Sequence, residues 1–320
     1  MKQDVAALQT QGTLPTNQKR NRKGNRRKGR TLFIVCILAI PILNWLVFWL
    51  YVNISSIFLA FQELDPFTGT QKWSMGNFEK LWEQITGDGD LLLSLKNTGL
   101  YFLSGLLITM PLSLFISYFL SKKIFGYQFY RVVFYLPCII TPVILTSLYD
   151  QMLSPRGPIA KIFEKLFISY PLNGPLYIQG STLPTIMIII YTILTGFGGD
   201  MLIFSGAMSR IPTEVYESAK LDGCGPIREV FTIVMPLIWS TISTKIVLLM
   251  SGIFAASGPI MLLVTDNYNT KTVAFWIYNI VQKGLDVNLV AMAGLCFTLI
   301  IIPIIFGVRA LMDKFGNVEY

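Results

Sequence analysis

The chain has 320 residues, of which 53% are apolar and only 14% charged, and its mean hydropathy is +0.56. Soluble domains carry about 25% charged residues, so the composition excludes an ordinary soluble protein and indicates an all-α, polytopic membrane protein. The net charge of +8 does not imply a nucleic-acid partner. Nine of the 26 Lys/Arg lie in the first thirty residues with no aromatic residue among them, unlike a stacking groove for single strands.

Residues 1–30 read as a basic, disordered cytoplasmic arm that pins the first span and touches anionic membrane lipid. The chain has no histidine, which excludes a His-based triad or a His-ligated metal. Cys36, Cys138, Cys224 and Cys296 are widely spaced with no CxxC, so neither disulfides nor a metal cluster is expected.

A hydrocarbon core of about 30 Å needs about 20 apolar residues. Six runs qualify, at 31–51, 98–120, 132–152, 184–208, 237–264 and 289–308, giving a six-helix domain over 31–315 and a cytoplasmic tail at 316–320. The first run is too long for a secretory signal and no small-x-small site follows it, so it reads as an anchor. In the polar stretch 62–95, Trp73, Phe78 and Trp82 at near-helical spacing suggest an interfacial helix.

The second run stops at Ser121-Lys122-Lys123. The third carries Pro137 and Pro142, which remove backbone bonds and bend a helix. Carbonyls freed there need neighbours or a watery cavity, and Thr141 becomes a candidate for lining a solute pathway. An amphipathic stretch at 159–168 follows outside.

The fourth run holds Thr192, Gly196 and Asp200. An ionisable group within a span suggests a functional site, set against a hydrated or paired acid near the interface. The fifth has small residues and Pro259 near mid-depth, a helix break that offers backbone groups to a solute. Phe254 and Ser257 are the candidates there, while Lys245 can snorkel to the interface. With spans alternating from a cytoplasmic N-terminus, inside segments hold 17 Lys/Arg and outside loops eight. That satisfies the positive-inside rule with both termini cytoplasmic.

Between the fourth and fifth runs lies a charged cytoplasmic segment, 209–236. Pro212 and Thr213 open a helix there, with Thr as its cap. Val215, Ser218, Ala219 and Asp222 share a face at i, i+3, i+4, i+7. Gly223 and Gly225-Pro226 break that helix, and Ile227, Val230, Phe231 and Val234 pattern a second one.

Glu217-Ser218-Ala219, three residues, Gly223, nine residues, Ile233-Val234-Met235-Pro236 resembles the Glu-Ala-Ala motif of binding-protein-dependent ATP-binding-cassette importer permeases. The departures are Ser for the middle Ala and Met for Leu. The flanks Ile211-Pro212-x-Glu214-Val215-Tyr216 and Asp222-Gly223, the run Arg131–Pro137, and Gly76-Asn77-Phe78 are similar to the carbohydrate branch, the maltose-type permeases.

The resemblance implies a type I importer permease, in the bacterial plasma membrane, that moves a sugar or oligosaccharide by alternating access. It implies partners of four kinds: a second homologous permease, two cytoplasmic ATP-binding subunits, an extracellular solute-binding protein and the carbohydrate itself. Glu214, Glu217, Ser218, Ala219, Asp222 and Gly223 would dock the ATPase, the small residues entering its groove. The chain lacks a Gly-x-x-x-x-Gly-Lys-Ser/Thr loop, so ATP and Mg²⁺ are expected on the partner and no cofactor in this chain. Glycerol phosphate or another small polar solute is the alternative cargo. An intramembrane enzyme would need paired acids or a nucleophile and base at membrane depth. An ion-coupled secondary transporter would lack the docking loop and show inverted repeats.

Overall fold

The computed structural model describes residues 31, 33–64, 70–87, 89–166, 170–171, 174–178, 181–255, 259–264 and 269–316. The expected arm at 1–30, tail residues 317–320 and the candidate Ser257 lie outside the described residues. By contacts the chain forms two units, residues 1–59 and 60–320, taken in turn.

The first unit holds a long apolar helix, α1 (Phe33–Ala60), whose last residue, Ala60, belongs to the second; it runs past the expected end at 51. Trp45 and Trp49 stack at 5.2 Å. Its polar side chains turn back on their own helix: Asn53 Nδ2 donates to the Trp49 carbonyl at 2.7 Å and Ser56 Oγ to Val52 at 2.9 Å. Each of the two side chains thereby satisfies one donor within its own helix, which matters in hydrocarbon, where an unsatisfied group is costly.

The second unit opens with an antiparallel hairpin absent from the sequence reading, β1 (Gln62–Leu64) and β2 (Gln71–Trp73), pairing Gln62 with Trp73. Next comes α2 (Gly76–Thr86): Asn77 and Leu81 face inward, while Phe78 and Trp82 are exposed, but Trp73, expected on the same helix, lies in β2 instead. Asn77, fully buried, donates to the carbonyls of Ala60 at 2.9 Å and Gln62 at 2.8 Å. That gives Gly76-Asn77-Phe78 its structural meaning: the amide pins the hairpin to the helix.

The second span is α3 (Asp90–Ser121). The expected third span is broken. α4 (Tyr127–Ile139) passes through Pro137 unbroken, then the chain bends by 102° into the helical stretch Pro142–Lys165, which α5 (Pro142–Leu153) opens. Thr141 is extended at ψ 139° because the following proline ring disfavours a helical conformation. A short helix, α6 (Pro158–Lys165), precedes α7 (Leu183–Met208).

Beyond α7 stand α8 (Thr213–Leu221) and α9 (Pro226–Leu237), the latter bent 79° from α10 (Trp239–Ser251). After a single 3-10 turn at Ile253–Ala255 come α11 (Ile260–Leu263), an additional helix α12 (Val273–Gln282) in the expected outer loop, and α13 (Val287–Gly316). Among the described residues, four helices are long and apolar enough to cross a membrane, and up to six spans result if each bent pair is one.

α3 and α7 are joined by small polar residues. Ser113 Oγ donates to Phe197 O at 3.0 Å and Ser117 Oγ to Met201 O at 2.8 Å, a common device where no hydrophobic force draws helices together. Gly198 sits against α4 so closely that a Cβ would lie 2.2 Å from the Phe134 carbonyl oxygen. Apolar packing then divides into an end built on Leu81, Leu91, Val273, Trp276 and Ala293, a middle group around Ile188, Tyr191 and Ile260, and an opposite end uniting Leu114, Tyr118, Phe204, Met208, Val230 and Val234.

Candidate docking surface and solute cavity

α8 projects from the last of these groups as a helix with a sharply defined stop. Gly223 has φ +70°, a left-handed conformation that costs a side-chain-bearing residue energy. Its N–H donates to Lys220 O at 3.1 Å and that of Cys224 to Ala219 O at 2.9 Å, the paired bonds of a Schellman cap. A Cβ on Gly223 would meet nothing within 4 Å, so the demand for glycine is torsional rather than steric. The expected corner is therefore present. The expected cap is not: Pro212 occupies the N-cap position, Thr213 is the first helical residue, and no side chain caps the helix.

The face of α8 needs one correction. Glu214, Glu217, Ser218, Asp222 and Gly223 are exposed, whereas Ala219 is 3% exposed and packs against its own chain. A residue so buried cannot enter a partner's groove; it lies beside Val215 and Tyr216, which pack on the same apolar group. The surface instead presents Leu221, 89% exposed, with Ile227 and Phe231 also exposed, a set of apolar contacts that periodicity alone had placed on inner faces or passed over.

Beneath α8 lies a contact not foreseen from the sequence. Glu229 of α9, 3% exposed, forms an ion pair with Lys122 at the end of α3. The Lys122 ammonium also stands 4.1 Å from the Tyr216 ring centroid and 5.4 Å from that of Tyr118, within cation–π range. Burial, then the Glu229 carboxylate, push the Tyr216 phenol above its ordinary pKa, so the ring stays neutral under the ammonium. The segment 209–236 is thereby fastened to α3 rather than hanging as a loose connector.

Along the spans, α3, α7 and α10 line a partly open cavity of about 380 Å³. Thr192, Gly196 and Asp200 of α7 all line it, together with Tyr101, Ser104 and Thr109 of α3. Asp200 is not solitary: it pairs with Lys245 of α10, which faces the same cavity and therefore does not snorkel. The two remaining described candidates stand elsewhere. Thr141 is the exposed residue at the α4–α5 break, and Phe254 turns away to stack on Phe297 at 4.8 Å. The backbone of α3 is π-helical at Gly105–Thr109 beside the cavity, and that of α9 at Val230–Val234. Each is followed by a proline, Pro111 and Pro236, that cannot donate an i→i−4 bond.

Broken spans, a solute-sized cavity between helices and a rigid polar projection define a membrane permease component. Residues 110–316 match the family described as binding-protein-dependent transport system inner membrane component, and the chain belongs to that family. It is a transport subunit, not an enzyme. YesP of Bacillus subtilis, a probable ABC transporter permease protein, is 29% identical over 219 residues, covering 68% of this chain and 69% of YesP. NgcF of Streptomyces coelicolor, a diacetylchitobiose uptake system permease, is 24% identical over 267 residues, 78% of this chain and 73% of NgcF. UgpA of Escherichia coli, an sn-glycerol-3-phosphate transport system permease, is 22% identical over 295 residues, 91% and 97% of the two chains. In fold, the chain resembles one from the crystal structure of a bacterial ABC transporter involved in import of the acidic polysaccharide alginate. The TM-score is 0.78 at 20% identity, covering 93% and 100% of the respective chains. The all-α importer-permease fold expected from the motif is the one adopted.

Proposed function

We propose that this permease moves a sugar or oligosaccharide into the cell by alternating access, driven by two cytoplasmic ATPase subunits that grip α8. One observation carries the reading: the exposed Glu214, Glu217, Leu221, Asp222 and Gly223 form a capped, rigid corner that the buried Lys122–Glu229 pair fastens to a cavity-lining helix. Closure of the ATPase pair would shift α8 and α9, and with them α3, between two arrangements of the spans. ATP and Mg²⁺ bind on that partner and the chain itself holds no cofactor.

In this proposal a second homologous permease completes the pathway and an extracellular binding protein delivers solute to the loops opposite α8. The basic arm lies on cytoplasmic lipid, and both termini are cytoplasmic. The carbohydrate assignment draws support from the sugar-permease flanks of the motif and from NgcF among the relatives. Glycerol phosphate is the second reading, favoured by the near-complete coverage of UgpA.

The test is purification of the tagged chain from its native host, followed by uptake of labelled solutes. Co-purification of an ATPase, lost in Glu217→Lys while the helical content of the chain is kept, is the expected result. Full uptake by a preparation without any nucleotide-binding subunit would overturn it.

A further inference from the structure

Another partly open cavity, of about 340 Å³, lies where α3 ends against the corner between α8 and α9. Tyr118, Phe119 and Lys122 line it from one side, and Lys220, Cys224 and Pro226 from the other, with Glu229. Its wall is mainly apolar, which does not suit a freely soluble anion, yet its charges do not cancel. Lys122 and Lys220 against Glu229 leave one net positive charge. Lys122 pairs with Glu229, but an ammonium carries three N–H donors. Lys220 is exposed and in no ion pair among the described residues. Lys123 and Arg228, next in sequence to wall residues, are exposed as well, against one acid of the corner, Asp222.

An apolar stripe leads to these cations. Leu112, Phe115, Phe119 and Lys122 recur at i, i+3, i+7 and i+10 and so share one face of α3. Leu112 and Phe119 are exposed, and Phe115 meets the exposed Phe231 of α9 edge to face, with ring centroids 5.9 Å apart. The stripe runs along a span and stops where the span stops, at the first lysine after Ser121. Just beyond, in the turn to α4, the Phe125 side chain is fully exposed. An apolar ring at that level finds cover at the boundary of headgroups and acyl chains.

We infer that this cavity binds an anionic phospholipid, its phosphate held by Lys122 and Lys220 and one acyl chain laid along Leu112, Phe115 and Phe119. Such a lipid supplies in one molecule the two things the site lacks, a negative charge and an apolar chain. Basic pockets between helices at the membrane surface suit lipid headgroups for this reason. A zwitterionic lipid brings its own cation against the lysines and gains nothing from the net charge. In the topology proposed above the lipid belongs to the cytoplasmic leaflet. Seated there, it joins α3 to the α8–α9 corner beside the Lys122–Glu229 pair.

Cys224 reports occupancy, since its half-exposed thiol lines the cavity. The full chain, purified with whatever subunits accompany it and stripped of lipid in maltoside, is alkylated with N-ethylmaleimide. Peptide mass spectrometry then reads the rate at each cysteine, the exposed Cys138 of α4 serving as control. Dioleoylphosphatidylglycerol is expected to slow Cys224 severalfold, while dioleoylphosphatidylcholine and inorganic phosphate at equal concentration leave it unchanged. In Lys220→Gln the half-protecting concentration of phosphatidylglycerol should rise about fivefold, the worth of one cation beside an anionic headgroup. Lys220→Arg should keep the protection. Phe119→Ala should weaken it severalfold with the circular dichroism spectrum unchanged.

Equal rates at Cys224 with the two phospholipids would overturn the inference. So would protection by inorganic phosphate, which would make the cavity a site for soluble anions, or protection that ignores Lys220→Gln, which would be an effect of the micelle surface. A Cys224 that is unreactive without lipid and is released when the co-purified subunits are removed would assign the cavity to one of those subunits instead. A thiol unreactive in every state would contradict the opening of the cavity itself and overturn the site with it.

Discussion

At the scale of single residues, the strongest constraint is torsional. Gly223 adopts φ +70° with open space where a Cβ would go, so Gly223→Ala strains the corner by about 1 kcal/mol without a clash. Gly223→Pro is different in kind: its ring fixes φ near −65° and it loses the N–H that bonds Lys220 O. Limited proteolysis should detect little change in the alanine variant and rapid cleavage between 221 and 226 in the proline variant, with the spans equally protected in both. Asn77 is a chemical constraint instead. Its amide serves two carbonyls on the hairpin strand and the end of α1, and Asn77→Ala leaves both without that donor in a buried site. Thermal or denaturant unfolding in detergent should show a loss of about 1–3 kcal/mol. Asn77→Asp should do no better, because an ionised carboxylate has no proton to give.

At the scale of elements, the hairpin and α2 are joined by charge. Lys80 of α2 lies 2.6 Å from Glu63 of β1 and 3.3 Å from Asp286. The hydrogen bond from Lys80, then that from Ser74, holds the Glu63 carboxyl below its ordinary pKa, and the bond to Glu63 holds Lys80 above its own. A lowered carboxyl pKa contributes stability that is complete above the ordinary carboxylate range and is lost as pH falls through the lowered value. A raised lysine pKa contributes stability that is complete below the ordinary lysine value and is lost as pH rises through the raised one. The two windows overlap from mildly acid to mildly alkaline pH. Amide exchange in β1 and β2, corrected for intrinsic rates, should therefore be flat between about pH 6 and 9 and accelerate on strong acidification and again at strongly alkaline pH. In Lys80→Met the acid limb should move up towards the ordinary carboxylate range.

The elements also show what was legible beforehand. Hydropathy located the four long apolar helices among the described residues and the two bent pairs, because about 20 apolar residues have few other fates, and Gly223 announced its corner because few residues tolerate that φ. The angles were not legible. Pro142 marks a lost backbone bond, but the 102° turn depends on Thr141 becoming extended in its particular packing. Periodicity gave α8 a face without saying which way it points, hence the misplaced Ala219. Asp200 stood out as a lone acid because its counter-ion, Lys245, arrives from a different helix, and no local pattern encodes that meeting.

At the scale of the whole molecule, the question is how movement of α8 reaches the cavity. α3 runs without a break from Asp90 to Ser121, passing Tyr101, Ser104 and Thr109 at the cavity and ending at Lys122. The 13 residues from Thr109 to Lys122 span roughly 20 Å of helix. The Lys122–Glu229 pair, roofed by Tyr216, is the point where the segment 209–236 takes hold of that rod. Removing one partner, as in Glu229→Ala, strands a largely buried lysine and should cost about 3–5 kcal/mol, whereas Lys122→Met/Glu229→Leu replaces the pair with apolar contacts and should keep the chain folded. The double variant separates holding from transmitting. It should melt within a few degrees of wild type and still assemble with its ATPase, yet lose at least about tenfold in solute uptake per ATP hydrolysed (roughly 1.4 kcal/mol of lost coupling). The reversed pair Lys122→Glu/Glu229→Lys should recover part of that loss, since it restores an ionic link across the same two elements. Wild-type coupling in the apolar double variant would mean that packing of Tyr118, Val230 and Val234 transmits the movement without the charges.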